Sequence, residues 1–288
     1  MSSSPLLAAT FLFAAQDQPG LVARVAGFFY ERGLNIVDAS NHTDPHGEGG
    51  ARFFMRVVVD LGGSTSRRAV EEGFAATVAE LAGTWSVGYS DVVPKVAILV
   101  TKESACLYDL VLRQRQGELP CEIPVIVSNH AALENVAESF RIPFYALAVT
   151  PATRDAQEAQ ILDVLKRHHV DLVVLARYMQ VMSDTFLNAA PPVINIHHGF
   201  LPAFQGAKPY HQAYARGVKL IGATAHYATA DLDQGPIIEQ DVARVDHRMG
   251  PAELVRVGRD VERLVLSRAV RAHLERRVIV EGRRTIVL

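Results

Sequence analysis

An amide, an imidazole and a carboxylate stand out in the C-terminal half of the chain as groups that could act together. Asn195 and His197 lie two positions apart at the end of a predicted strand, so their side chains point to the same face. Asp233 lies in a turn between two later predicted strands, a position that permits contact with His197. An amide donor beside an imidazole can stabilise a developing oxyanion, and a carboxylate can orient the imidazole. This spacing favours acyl-group chemistry.

Three further histidines lie near these residues, and the sequence leaves their roles open. His198 follows His197 directly, so we expect its side chain to face the other way and to support the structure around the site. His211 and His226 could equally line a pocket or pack inside the protein. A metal site is not predicted, because the His and Asp residues lack a recognised ligand spacing.

The sequence lacks the signatures of several common enzyme classes. It contains no glycine-rich dinucleotide or phosphate loop, no Gly-x-Ser-x-Gly nucleophile turn and no His-Glu-x-x-His zinc helix. Its two cysteines, Cys106 and Cys121, form neither a disulfide framework nor a Cys-x-x-Cys pair. Nucleotide-binding, serine-hydrolase and zinc-protease functions therefore lose their usual support, and the cysteine usage fits a reducing cytoplasm.

Charge and hydrophobicity favour a small-molecule partner. The chain has 288 residues and a formal net charge of -2, with no basic stripe of the kind that binds nucleic acid or an anionic membrane. The apolar stretch of residues 5–15 has no basic residue before it and is shorter than the roughly 20 residues that span a bilayer. We expect this stretch to form a first β-strand.

Residues 1–91 are predicted to form a ferredoxin-like domain. Apolar periodicity indicates the order β-α-β-β-α-β. The predicted strands occupy residues 7–14, 35–40, 52–60 and 85–90, and the predicted helices occupy residues 21–32 and 67–81. Asp17 is a candidate N-cap of the first helix, and Gly33 is expected to end it.

Residues 92–288 are predicted to form a doubly wound, mostly parallel α/β domain. Strands rich in Val, Ile and Leu alternate with helices, which is typical of a parallel sheet covered on both faces. The predicted strands occupy residues 95–101, 123–128, 144–149, 172–176, 193–196, 220–227 and 236–242. The predicted helices include residues 155–168 and 252–274, and a hairpin follows at residues 278–287. Ligands of such sheets bind at the carboxyl ends of the strands, where Asn195 and His197 lie.

Several short segments resemble the signatures of folate-dependent formyltransferases. They occupy residues 128–130, 175–180, 195–197, 201–206 and 232–235. The resemblance covers about residues 95–288, whereas residues 8–90 resemble an ACT domain. An ACT domain before a formyltransferase-like domain is similar to the layout of formyltetrahydrofolate deformylases, and residues 206–214 are similar to that subfamily's version of the segment.

The resemblance implies an activity and a set of site residues. The implied reaction is hydrolysis of 10-formyltetrahydrofolate to tetrahydrofolate and formate, which balances the one-carbon folate pool and supplies formate to purine synthesis. Asn195, His197 and Asp233 are implied as catalytic residues, whereas Asp231 would organise the turn through its side chain. No metal or cofactor is implied. The implied folate contacts, largely through the backbone, are Met179, Gln180, Val181, Ala228, Thr229 and Ala230.

The ACT-like domain implies control and assembly. Such domains commonly pair, so we expect a homo-oligomer, either a dimer or a tetramer. Asp17, Gly20 and Leu21 form a turn into a helix, and the backbone N–H groups there are candidates for binding the carboxylate of an amino acid such as glycine or methionine. A simpler alternative is that Gly20 serves only the turn and that the domain only holds subunits together.

One segment departs from the transformylases within this family. Glycinamide ribonucleotide transformylases carry a Gly-Asn-Gly-Ser-Asn loop that holds the acceptor's phosphate. Residues 102–106 lack glycine here and include Glu103, which would repel a phosphate, so water becomes the natural nucleophile. Two alternatives stay open: a transferase that passes the formyl group to an amine, and a non-catalytic amino-acid sensor with an enzyme-like domain.

Overall fold

The computed structural model describes residues 7–47, 49–62, 66–202 and 209–288, and the chain divides into two compact units. The first unit runs through residue 93 and also includes residues 276–288, whereas the second contains residues 94–275. The C-terminal segment, which the sequence assigned to the second domain, thus groups with the first unit. Two ion pairs hold it there: Arg52 Nε lies 2.7 Å from Glu281 Oε1, and Arg284 Nη2 lies 2.7 Å from Asp44 Oδ2.

The first unit has the β-α-β-β-α-β order that the sequence predicts. Its elements are β1 Ala8–Gln16, α1 Leu21–Glu31, β2 Asn35–Asp44, β3 Arg52–Asp60, α2 Arg67–Glu80 and β4 Thr84–Tyr89. The strands form an antiparallel sheet in the order β2-β3-β1-β4. This arrangement is the ferredoxin-like fold, so the predicted class of the N-terminal domain is confirmed.

Aromatic side chains fill the core of the first unit. Alternate residues of β1 share one face, and Phe11 and Phe13 on that face are almost completely buried. The ring of Phe74, from α2, lies 4.8 Å from the ring of Phe11 and 5.4 Å from that of Trp85. These contacts, together with the helix side chains of α1, give the unit a hydrophobic core of its own.

The start of α1 differs from the prediction. Asp17 is not the N-cap residue; Gly20 takes that position, and no described side chain accepts a hydrogen bond from the first turn. Gly20 has a φ of 89°, a left-handed conformation that glycine adopts without steric cost, so the chain turns there rather than at Asp17. Gly33, at a φ of 66°, follows the end of the helix as predicted.

The second unit is the doubly wound, mostly parallel α/β fold that the sequence predicts. Its strands are β5 Lys95–Val100, β6 Glu122–Ser128, β7 Phe144–Ala146, β8 Leu172–Leu175, β9 Val193–His197, β10 Leu220–Tyr227 and β11 Ile237–Arg244. Its helices are α3 Ala105–Arg115, α4 Glu134–Phe140, α5 Arg154–Arg167, α6 Asp184–Ala189, α7 Pro209–Ala215 and α8 Pro251–Leu274. Within the described ranges, no helix is both long enough and apolar enough to cross a bilayer.

The sheet of the second unit has the order β11-β10-β9-β8-β5-β6-β7. Strands β5 to β9 pair in parallel, whereas β10 runs antiparallel to both β9 and β11. The chain then enters the predicted hairpin, formed by β12 Val278–Glu281 and β13 Arg284–Val287.

Short elements account for most of the differences from the prediction. Helix α6 was not predicted, because its six residues are too few to show periodicity, although Ser183 caps it by accepting a hydrogen bond from Phe186 N. Helix α7 was also missed. Strand β7 ends at Ala146 rather than at residue 149, and β2 continues to Asp44 rather than ending at residue 40. Pairing with β3 extends β2, a tertiary effect that local composition does not encode.

The sole tryptophan of the chain provides a probe for the core of the first unit. Phe74 is fully buried against the Trp85 ring, so Phe74→Ala should leave a cavity and destabilise this unit by about 3–5 kcal/mol. Denaturant unfolding followed by Trp85 fluorescence measures the effect. Tyr30→Ala is the control, because Tyr30 is 84% exposed and its loss should change the midpoint little. Equal midpoints for the two variants would contradict the assigned core.

Candidate active site

Two neighbouring strands bring the predicted amide and imidazole to one edge of the sheet. Asn195 and His197 alternate with Ile196 at the end of β9, so both side chains reach the same face. The antiparallel strand β10 places His226 directly opposite Asn195. The structure thus adds a second imidazole to the site, a role that the sequence left open for His226.

The loop between β10 and β11 carries the carboxylate back toward β9. Asp233 has a φ of 56°, a left-handed conformation that aspartate tolerates in turns. The backbone of Gly235 then approaches β10 so closely that a Cβ at this position would lie 1.7 Å from the carbonyl oxygen of Tyr227. Only glycine fits there, and this close approach lets the loop return Asp233 to the strand end.

The three predicted catalytic residues and His226 form one connected cluster. His197 Nδ1 lies 3.1 Å from Asp233 Oδ2, and His226 Nε2 lies 3.6 Å from the other carboxylate oxygen. Asn195 Nδ2 lies 3.2 Å from His226 Nε2. The carboxylate therefore sits between two imidazoles, one of which also contacts the amide.

Backbone contacts orient the second imidazole. His226 Nδ1 lies 2.9 Å from the carbonyl oxygen of Tyr227, which can only accept, so Nδ1 carries a proton. Nε2 of the same ring faces both the amide of Asn195 and the carboxylate of Asp233. Because an amide nitrogen carries two hydrogens, Asn195 retains a second donor for a substrate oxygen.

The environment of Asp233 keeps this carboxylate ionised. Burial disfavours the charged form, but hydrogen bonds from His197 and His226 outweigh it and hold the pKa of Asp233 well below its usual range. A carboxylate in that state accepts the Nδ1 proton of His197. His197 Nε2 is buried and has no hydrogen-bond partner among the described residues, which leaves it for a substrate group.

His198 lies closer to the reaction site than the strand alternation predicts. Its ring stacks on that of His197 with centroids 5.4 Å apart, and both residues line a cavity beside the cluster. The alternation does not reach His198, because β9 ends at His197. Burial, assisted by the nearby charge of Arg177, lowers the pKa of His198 to about 3, so this imidazole is neutral at physiological pH.

A cavity of about 290 Å³ opens beside the cluster. Its lining includes five of the six predicted folate contacts, whereas Ala230 is not among the lining residues. Met179, Val181 and Leu232 are each at least half exposed at this cavity, an apolar surface suited to a flat aromatic ligand. His211 is exposed on α7 and does not line the cavity.

The role that the sequence predicts for Asp231 is only partly correct. Asp231 organises the turn through its backbone carbonyl, which accepts from Gln234 N and Thr229 Oγ1, rather than through its side chain as predicted.

Of the motif at residues 201–206, only Leu201 and Pro202 lie within the described residues. Residues 203–208, which carry the rest of that motif and the start of the segment at 206–214, lie outside them.

Side-chain contacts hold the loop at residues 102–106, which differs from the acceptor loop of the transformylases. Glu103 Oε1 accepts a hydrogen bond from Arg259 Nη2 at 3.0 Å. Cys106 is buried at the start of α3, and burial raises the pKa of its thiol. This cysteine is therefore protonated and packed rather than nucleophilic.

The predicted effector residues lie at the turn into α1 of the first unit. Gly20 precedes the helix and Leu21 is its first residue, with the Leu21 side chain buried in the core. Asp17 N donates to the carbonyl oxygen of Ala51 at 2.8 Å, so the backbone of this turn is tied to the sheet. Any ligand there would meet backbone N–H groups rather than the side chain of Leu21.

Comparisons with known proteins agree with this two-domain architecture. The formyl transferase family model matches residues 94–270, and the ACT domain model matches residues 9–66. A formyltetrahydrofolate deformylase of Synechocystis is 49% identical, with 98% of each chain covered. That of Bacillus subtilis is 46% identical, with 96% of this chain and 92% of the relative covered.

Solved structures show the same similarity to formyltetrahydrofolate deformylases and to transformylases. A formyltetrahydrofolate deformylase from Pseudomonas syringae superposes with a TM-score of 0.94 at 42% identity, covering 100% of this chain and 96% of its own. A glycinamide ribonucleotide transformylase from Symbiobacterium toebii superposes with a TM-score of 0.65 at 31% identity, covering 69% of this chain and 96% of its own. Because the deformylases match over both units, this chain belongs to the formyltetrahydrofolate deformylase family.

Proposed function

We propose that this chain hydrolyses 10-formyltetrahydrofolate to tetrahydrofolate and formate. The observation that carries the proposal is the cluster of Asn195, His197 and Asp233 beside a cavity that is lined in part by exposed apolar side chains. Relatives named formyltetrahydrofolate deformylase match nearly the whole chain. Hydrolysis would return tetrahydrofolate to the one-carbon pool and release formate for purine synthesis.

The reaction begins with attack of water on the formyl carbon. The formyl group is carried by N10, an aniline-type nitrogen, so it behaves as an activated amide. Attack forms a C–O bond and places negative charge on the formyl oxygen. Asn195 and the protonated ring of His197 donate hydrogen bonds to that oxygen, and one such donor contributes roughly 10²–10³ in rate.

Asp233 holds His197 and assists the proton transfers. Its hydrogen bond to Nδ1 directs Nε2 of His197 toward the substrate. As an ionised carboxylate it also helps to take a proton from the attacking water, and such general-base assistance contributes roughly 10²–10⁴ in rate. The intermediate then collapses: the C–N10 bond breaks, N10 receives a proton, and formate leaves as an anion.

The pterin is expected to bind between the segment after β8 and the loop before Asp233. Met179, Gln180, Val181, Ala228 and Thr229 line the cavity there. Contacts to the backbone of these residues would survive most side-chain substitutions, so folate affinity should respond weakly to them. No metal or cofactor is needed for the steps above.

The first test separates hydrolysis from formyl transfer. Purified enzyme with 10-formyltetrahydrofolate and no amine should release formate and tetrahydrofolate in equal amounts, because water is the nucleophile. Formate is measured enzymatically and tetrahydrofolate by absorbance. Turnover that requires an added amine acceptor would instead support the transferase alternative.

The second test concerns the catalytic residues. Asn195→Ala, His197→Ala and Asp233→Asn should each lower kcat by about 10²-fold or more, while the Kd for the folate changes little, because their interactions strengthen in the transition state. Asp231→Asn is the matched control, because this exposed carboxylate lies in the same turn and should retain kcat. A wild-type kcat in any of the three variants removes that residue from the mechanism.

The third test uses the low pKa of Asp233. Because the folded protein favours the ionised carboxylate, Asp233 contributes stability that is present at neutral pH. This contribution begins to fall near the ordinary aspartate pKa of about 4 and is lost as the pH drops through the folded-state pKa. The melting temperature of wild type should therefore decline more steeply than that of Asp233→Asn below pH about 4. Parallel declines would show that the folded protein does not depress this pKa.

The ACT domain supports a regulatory proposal. We infer that the chain forms a homo-oligomer, a dimer or tetramer, in the cytoplasm and responds to an amino acid such as glycine or methionine bound near Gly20. An alternative in which the chain is only an amino-acid sensor is disfavoured by the complete set of Asn195, His197 and Asp233.

The fourth test addresses assembly and control together. Sedimentation of the full-length protein at micromolar concentration should give an oligomer, and calorimetric titration with glycine or methionine should show binding. If the coupling acts through affinity, the amino acid and the folate change each other's Kd by the same factor. A monomer contradicts the assembly, and the absence of both heat and a rate change with either amino acid contradicts the effector.

A further inference from the structure

Arg177 places a cation in the wall of the reaction cavity, and none of the steps above uses it. It lies two residues beyond the end of β8, and Leu175 of that strand pairs with Asn195 of β9. The backbone of Arg177 has a φ of 63°, which is uncommon for a residue with a side chain. The guanidinium is therefore held at the same edge of the sheet as His197.

A buried carboxylate lies behind this guanidinium and neutralises it only in part. Arg177 Nε lies 3.5 Å from Glu262 Oε2, a long contact. The other oxygen, Glu262 Oε1, accepts a hydrogen bond from Tyr210 Oη at 2.5 Å. Burial raises the pKa of Glu262 against the influence of Arg177, which further weakens the compensation. Tyr210 thus shares the carboxylate with Arg177.

The guanidinium retains donor capacity that Glu262 does not use. Arg177 Nη1 is buried and has no hydrogen-bond partner among the described residues. His198, which lines the same cavity, is neutral and cannot supply a negative charge. Leaving a charged donor buried without a partner is costly, so a ligand that accepts a hydrogen bond there is favoured.

The products of hydrolysis and of transfer differ in charge. When an amine takes the formyl group, the product is a neutral amide. When water takes it, the new C–O bond and the broken C–N10 bond leave formic acid, which loses its proton and becomes an anion. A cation in the cavity wall can therefore form an ion pair with the product of hydrolysis, whereas the neutral product of transfer carries no negative charge for it to bind.

We propose that Arg177, backed by Glu262 and Tyr210, is the binding site for the carboxylate of the formate product. The assignment of formate rests on the proposed hydrolytic function. Arg177 forms a charge-assisted hydrogen bond with the carboxylate that appears as the C–N10 bond breaks, an ionic contact that the neutral amide product of transfer would not offer. Arg177 thereby acts as a product-binding residue beside the catalytic cluster.

Direct binding of formate tests the assignment without requiring turnover. Line broadening of ¹³C-formate is titrated against the full-length protein at constant ionic strength. Arg177→Gln should raise the Kd for formate by about tenfold or more, the effect expected for loss of one charge-assisted hydrogen bond. Glu262→Gln should lower the Kd, because it removes the charge that competes for the guanidinium. Neutral formamide should not displace formate.

A matched control and a second variant make the result decisive. Arg268→Gln removes an arginine from the same helix as Glu262, on an exposed surface where it pairs with Asp241, and should leave the Kd unchanged. An unchanged Kd in Arg177→Gln, or no formate binding to wild type, overturns the proposal. If Arg177→Gln does not fold, a Kd in Glu262→Gln that fails to fall overturns it.

The same titration separates this proposal from the proposed function. Formate binding that depends on Arg177, in a protein that does not hydrolyse 10-formyltetrahydrofolate, overturns the function and leaves an anion site. Hydrolysis without Arg177-dependent formate binding overturns only the product site.

Discussion

The contact between His197 Nδ1 and Asp233 Oδ2 is the interaction on which the candidate site depends. An imidazole has two nitrogens, and only a fixed partner on one of them determines what the other can do. With Nδ1 bound to the carboxylate, Nε2 is committed to the substrate. The contact exists because the loop after β10 folds back on its own strand, and a side chain at Gly235 would collide with Tyr227 and prevent this return.

The sheet supplies the rest of the geometry. Parallel strands β8 and β9 end at the same edge, so Arg177 and His197 lie beside one cavity although the two residues come from different strands. The antiparallel strand β10 then adds His226 opposite Asn195. Rigid strand ends can hold such groups more accurately than loops, because main-chain hydrogen bonds on both sides fix each backbone position.

Two carboxylates of the site region, the partly buried Asp233 and the buried Glu262, each lie between two polar side chains. Asp233 lies between His197 and His226, and Glu262 lies between Tyr210 and Arg177. The pKa values of the two carboxylates shift in opposite directions. Hydrogen bonds lower the pKa of Asp233, whereas burial raises the pKa of Glu262. The first carboxylate is thus suited to holding a proton donor, and the second leaves part of the positive charge of Arg177 uncompensated.

The sequence by itself determined the fold class of each domain and the catalytic candidates. Period-two and period-3.6 hydrophobic patterns depend on local spacing, and the pairing of Asn195 with His197 follows from strand alternation alone. Tertiary structure decided the contacts between distant segments. His226 became a site residue through the register of β10 on β9, and Glu262 reached Arg177 through the packing of α8. The C-terminal hairpin groups with the first unit for the same reason: its ion pairs join residues that are more than 200 positions apart, and local patterns carry no information over that distance.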